Sequence, residues 1–93
     1  MQVLNGCGVN RAGLRLAEDL RALGFDVVEI DNASDKGYEQ TVVLDRIGNL
    51  EYAGAVAAAL GVSEPLPAPA DSLLVDVTVI LGRDRGELYG EGP

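Results

Sequence analysis

The sequence predicts an α+β fold of two layers, a single sheet with both helices on one face. Three observations carry this prediction. Apolar residues recur at helical spacing in two stretches only, each closed by a glycine. The remaining apolar segments are short and rich in valine, as strands are. The last of them alternates between apolar and polar residues, which marks a sheet with one face covered and one face wet.

Gln2 to Asn5 forms the first strand, ended by Gly6. Asn10 is expected to cap a helix from Arg11 to about Leu23, with Gly24 just past its end. Leu16, Leu20 and Leu23 share one helical face with Ala12 and Ala17 beside them, opposite Arg15, Glu18, Asp19 and Arg21. Phe25 to Ile30 forms a second strand, and Asp31 to Gly37 is polar and turn-rich, a surface loop. Gln40 to Leu44 forms the third strand. Gly48-Asn49 then opens a helix over Leu50 to Leu60, which Gly61 closes. Glu64 to Pro69 carries three prolines and is an extended connector. Val75 to Leu81 forms the last strand, with Val75, Val77, Val79 and Leu81 on one side and Asp76 and Thr78 on the other.

The order β-α-β-β-α-β is the split β-α-β, or ferredoxin-like, layout. Right-handed crossovers place both helices on the same face. The alternative is a three-layer α/β open sheet, ranked second because two helices cannot cover both faces of a parallel sheet. One domain is expected over residues 1–84. The glycine- and charge-rich end from Gly82 is expected to fray, with 85–93 a flexible tail.

Composition excludes several classes of function. A chain of 93 residues has room for one core, and burying roughly 60 to 70% of its unfolded surface lets it fold without staples. The net charge is −8 and the basic residues are scattered, which argues against nucleic acid and anionic lipid as partners. There is no histidine and a single cysteine, Cys7. Internal disulfides, cysteine-based zinc sites and histidine-dependent catalysis are therefore out of reach. No apolar run approaches the ~20 residues of a membrane span.

The stretch that suggests more than packing is Asn5-Gly6-Cys7-Gly8-Val9-Asn10-Arg11, where a strand breaks into a glycine-rich turn that enters a helix. Unpaired N–H groups at such a point suit a carboxylate or phosphate oxygen. The glycines do not fit the dinucleotide fingerprint, because Arg11 stands where its third glycine falls, and no Gly-Lys-Ser/Thr follows. Cys7 near a helix start invites comparison with reactive thiols, but it has no base and no resolving partner. Asp31, Asp35, Asp45, Asp71, Asp76 and Asp84 lack the spacing of a calcium loop and are expected as solvated loop and edge charges. The strand end Gly82-Arg83-Asp84 joins the turn to complete a candidate binding surface of Asn5, Gly6, Cys7, Gly8, Asn10, Arg11, Gly82, Arg83 and Asp84. No catalytic residue, metal site or cofactor is expected.

Val3-Leu4-Asn5-Gly6-Cys7-Gly8, Leu20-Arg21-Ala22-Leu23-Gly24-Phe25-Asp26-Val27, Thr41-Val42-Val43, the helix end from Ala53 to Gly61, and Val77-Thr78-Val79-Ile80-Leu81-Gly82-Arg83-Asp84 together resemble the C-terminal domain of LytR/CpsA/Psr-type cell-envelope proteins. The resemblance spans nearly the whole chain. It implies an accessory, non-catalytic module of a membrane-anchored parent, on the outer side of the bacterial cytoplasmic membrane. The implied partner is a cell-wall component or an envelope protein, with no nucleic acid and no membrane insertion of this stretch itself. The alternative is a cytoplasmic regulatory domain that senses a small ligand and dimerises through its sheet.

Overall fold

The computed structural model describes residues 1–9, 11–35, 37–70 and 73–89. Along the chain lie β1 (Gln2–Asn5), α1 (Ala12–Ala22), β2 (Glu29–Asn32), β3 (Val42–Asp45), α2 (Leu50–Leu60), β4 (Leu66–Pro67), β5 (Val77–Leu81) and α3 (Arg83–Tyr89). The strands form one mixed sheet in the order β2-β1-β5-β3-β4. Strand β1 runs parallel to both β2 and β5, β3 runs antiparallel to β5, and β4 joins β3 in parallel.

The layers agree with the expectation and the strand order does not. Buried residues of α1 (Ala12, Leu16, Ala17, Leu20) and of α2 (Ala53, Val56, Ala57, Leu60) belong to one cluster with Val3, Val43, Val77, Val79 and Leu81. Val3, Val79 and Val43 are register partners across three strands, so they point to the same side of the sheet. Both long helices therefore cover one face. Phe25, just after α1, also meets Tyr52 of α2 edge to face, with ring centroids 6.2 Å apart.

The ferredoxin-like order would put a strand between β1 and β2 and make the sheet antiparallel. Instead β1 and β2 are direct neighbours joined by an ordinary parallel crossover, and β5 lies between β1 and β3. The cause is in the side chains of β5. All five residues of Val77–Leu81 are buried, Thr78 and Ile80 included, so this strand needs cover on both faces and takes the centre. Glu29-Ile30-Asp31-Asn32 is largely exposed and suits an edge.

Several boundaries move for local reasons. Asp31 and Asn32, expected in a loop, pair with Leu4 and Asn5, because β2 extends as far as β1 does. Arg11, not Asn10, occupies the position capping α1; its φ is 65° and its side chain makes no capping bond. Asn10 lies outside the described residues. Both predicted stops hold: Gly24 has φ 98° and Gly61 φ 68°, the left-handed backbone that glycine adopts without strain. After α1, Gly24 N–H reaches Arg21 O and Phe25 N–H reaches Leu20 O, the paired bonds of a Schellman motif. The expected connector contributes β4, where Pro67 is tolerated because the strand is at an edge. The expected fraying from Gly82 is replaced by α3 through Tyr89, while residues 90–93 lie outside the described residues.

The second face is not simply wet. Arg46 Nε donates to Thr78 Oγ1 at 2.9 Å, and Thr78 Oγ1 donates to Gln2 Oε1 at 2.8 Å. Gln2 Nε2 donates in turn to Glu29 Oε2. This row runs from the residue after β3 across β5 and β1 to β2, and it satisfies polar groups that would otherwise be buried without partners.

Candidate functional site

The candidate surface assembles at the carboxyl ends of β1 and β5. Gly6 N–H donates to Leu81 O at 2.9 Å, which brings the turn after β1 against the end of β5. Asn5 is only 8% exposed and organises the turn from within. Its Oδ1 accepts from Cys7 N–H at 3.2 Å and from Cys7 Sγ at 3.1 Å, while Nδ2 donates to Val9 O at 2.8 Å. Asn5 therefore shapes the loop rather than presenting an amide to a ligand.

Cys7 is buried beneath α3. A Cβ placed on Gly86 would come within 2.7 Å of its Sγ, so the helix backbone rests directly on the thiol. Gly82 is equally enclosed. A Cβ there would lie 2.3 Å from Gln40 C and 2.7 Å from Thr41 N, closer than any side chain tolerates. The segment Tyr38–Thr41 straps this end of the sheet through Tyr38 N–H to Gly6 O, Arg83 N–H to Tyr38 O and Asp84 N–H to Glu39 O. Thr41 is the knot. Its Oγ1 accepts from Gly82 N–H at 3.0 Å and donates to Asp84 Oδ1 at 2.8 Å, and its own N–H also reaches Asp84 Oδ1.

The predicted residues thus meet, but as a packed seam. Asn5, Gly6, Cys7 and Gly82 are buried; Gly8, Arg11, Arg83 and Asp84 are exposed; Asn10 lies outside the described residues. The open space lies on the other side of β1. A depression of about 310 Å³ sits between the carboxyl ends of β1 and β2 and the first turn of α1, lined by Asn5, Arg11, Gly13, Leu14, Ile30, Asp31 and Asn32. Crevices at the carboxyl ends of parallel strands are where ligands of open α/β sheets bind. Its rim carries one cation, Arg11, and one anion, Asp31, and no aromatic ring.

A family model described as LytR cell envelope-related transcriptional attenuator matches residues 1–84. The chain belongs to the LytR_C family. No curated protein and no solved structure matches it.

In this LytR_C domain the carboxylates expected as solvated charges divide by environment. Asp31 and Asp35 are exposed and accept from nearby backbone N–H groups. Asp45 corrects the expectation: it is 1% exposed, and its Oδ1 accepts from Ile47 and Asn49 N–H, tying β3 to the start of α2. Asp71 lies outside the described residues. Among the described residues no three of His, Cys, Asp and Glu are placed to hold a metal ion, and no helix is long and apolar enough to cross a membrane.

Among the described residues of the LytR_C domain, one titratable group departs from its ordinary value. Burial, with Asp76 and then Asp26 adding repulsion, holds the Tyr52 phenol above the usual tyrosine range. Tyr52 lies on α2 and does not line the depression, so this shift bears on stability rather than on the site. The sequence reading missed Gly13, Leu14, Ile30, Asp31 and Asn32 as site residues. An available signal was the β-α-β reading itself, since a direct parallel crossover puts the end of β2 beside the start of α1.

Proposed function

We propose that this LytR_C domain is a non-catalytic binding module that positions its parent cell-envelope protein by docking a partner at the carboxyl ends of β1 and β2. The observation that carries this reading is the division of labour at the strand ends. Asn5, Cys7, Thr41 and Asp84 are engaged in hydrogen bonds within the seam, whereas the depression beside them exposes Arg11, Asp31 and Asn32. A chain without histidine, whose sole thiol is enclosed under α3, offers neither histidine-based nor thiol-based catalysis at this surface. The lack of aromatic lining favours a protein partner over a glycan, which binds best on flat aromatic platforms.

The test places a photo-crosslinking residue at Asn32 or, as control, at exposed Ala58 of α2, in the parent protein within its envelope. Discrete adducts from position 32 that are absent from position 58 are expected. Equal labelling from both positions, or none from 32, would sink the reading, as would turnover of peptidoglycan fragments by the isolated domain.

A further inference from the structure

We propose that the free edge of β2 accepts an extended, basic segment of a partner protein as an additional strand; this rests on the binding reading above and names the partner's chemistry. Among the described residues β2 is hydrogen-bonded to β1 alone, and no other strand lies beside its outer edge. At the end of the strand Ala33 N–H turns inward to Asn5 O. Because backbone groups alternate sides along a strand, Asp31 and Glu29 face β1 as well, and Ile30 and Asn32 turn theirs outward.

The two edges of the sheet are unequal. At the far side β4 is two residues long and includes Pro67, a residue with no N–H to offer. By contrast β2 contains neither proline nor lysine, and Val28 beside it is 63% exposed. An exposed edge without these guards is a template for strand addition.

Charge selects the occupant. Glu29, which accepts from Gln2, and Asp31 stand on β2, Asp26 and Asp35 flank it in sequence, and the stretch from 26 to 35 contains no basic residue. Of the neighbouring cations, Arg21 Nη2 is bonded to Val27 O, and Arg11 lines the depression together with Asp31. A second copy is disfavoured: antiparallel self-pairing centred on Ile30 would set Glu29 against Asp31 twice, and like charges directly opposite destabilise a sheet. A segment with Lys or Arg at alternate positions meets the acidic row while its backbone fills the outward N–H and C=O groups. At its end the depression beside Asp31 and Asn32 has room for one long side chain.

The probes are three capped hexapeptides: alternating Lys and Val, alternating Glu and Val, and the Lys-Val peptide N-methylated on the residues that would donate. Binding to the isotope-labelled domain is followed by amide shifts. The Lys-Val peptide is expected to shift residues 28–33, to weaken as salt rises, and to bind about tenfold more tightly than either control. Asp31→Lys, on an exposed edge where folding is not at stake, should weaken it by a similar factor. Equal binding of the N-methylated peptide would reduce the effect to charge alone and overturn the proposal. Shifts outside this edge, no binding, or self-association that Asp31→Lys leaves unchanged would do the same. Crosslinking from Asn32 that persists while the peptides fail would discard strand addition and leave the binding module standing.

Discussion

Replacing Gly82 with alanine is expected to cost this domain about 2 to 3 kcal/mol, far more than the loss of a glycine usually does. A Cβ at position 82 would sit 2.3 Å from Gln40 C and 2.5 Å from Gln40 O, both backbone atoms that no rotamer change can move. To restore a contact of 3.4 Å the Tyr38–Thr41 strap must retreat by about 1 Å. Three hydrogen bonds cross that gap: Gly82 N–H to Thr41 Oγ1, Arg83 N–H to Tyr38 O and Asp84 N–H to Glu39 O, all between 2.9 and 3.0 Å. At roughly 0.5 to 1.5 kcal/mol each, their loss totals about 2 to 4 kcal/mol. The stiffer unfolded chain of the alanine variant returns about 0.4 to 1 kcal/mol. Urea denaturation followed by far-UV circular dichroism measures the difference, and Gly54→Ala supplies the internal reference. Gly54 lies inside α2 with nothing within 4 Å of the added methyl, so that variant should gain about 0.5 to 1 kcal/mol. If Gly82→Ala shifts the midpoint no more than Gly54→Ala does, the strap does not hold the strand end and the reasoning fails.

Further outcomes follow from the same seam. Thr41→Val removes the acceptor for Gly82 N–H and a donor to Asp84, and should destabilise by about 1 to 3 kcal/mol in the same urea assay. Asn5→Ala should cost a similar ~1 to 3 kcal/mol and speed alkylation of Cys7, because it unties the turn around the thiol. In the native protein Cys7 should react slowly with a thiol reagent and at once in concentrated urea; fast native reaction would mean α3 does not cover it. Tyr52 is held above the ordinary tyrosine value, so its protonated form favours the folded state. Its stabilising contribution is complete below the unfolded value of about pH 10 and is lost as pH rises through the higher folded value. Ultraviolet titration should show a late-ionising phenol that disappears in Tyr52→Phe.

What could be read from the sequence is what local physics dictates. The leucine spacing of α1, the glycine stops at 24 and 61, the Asn49 cap whose side chain accepts from Tyr52 N–H, and the two-layer arrangement depend on neighbours a few residues apart and on the sidedness of amphipathic faces. The short strand lengths and the absence of histidine chemistry are likewise properties of the chain itself. Tertiary structure alone decided the strand order, because alternation in Val75 to Leu81 cannot say whether Thr78 faces water or a buried Gln2 and Arg46. It also decided which candidate residues stay open. Asn5, Cys7 and Gly82 have the chemistry of a site, but Asn5 is tied up within its own turn, and the other two are enclosed by segments distant in sequence, α3 over the thiol and the Tyr38–Thr41 strap over the glycine. Enclosure is a long-range contact, and no local pattern encodes it.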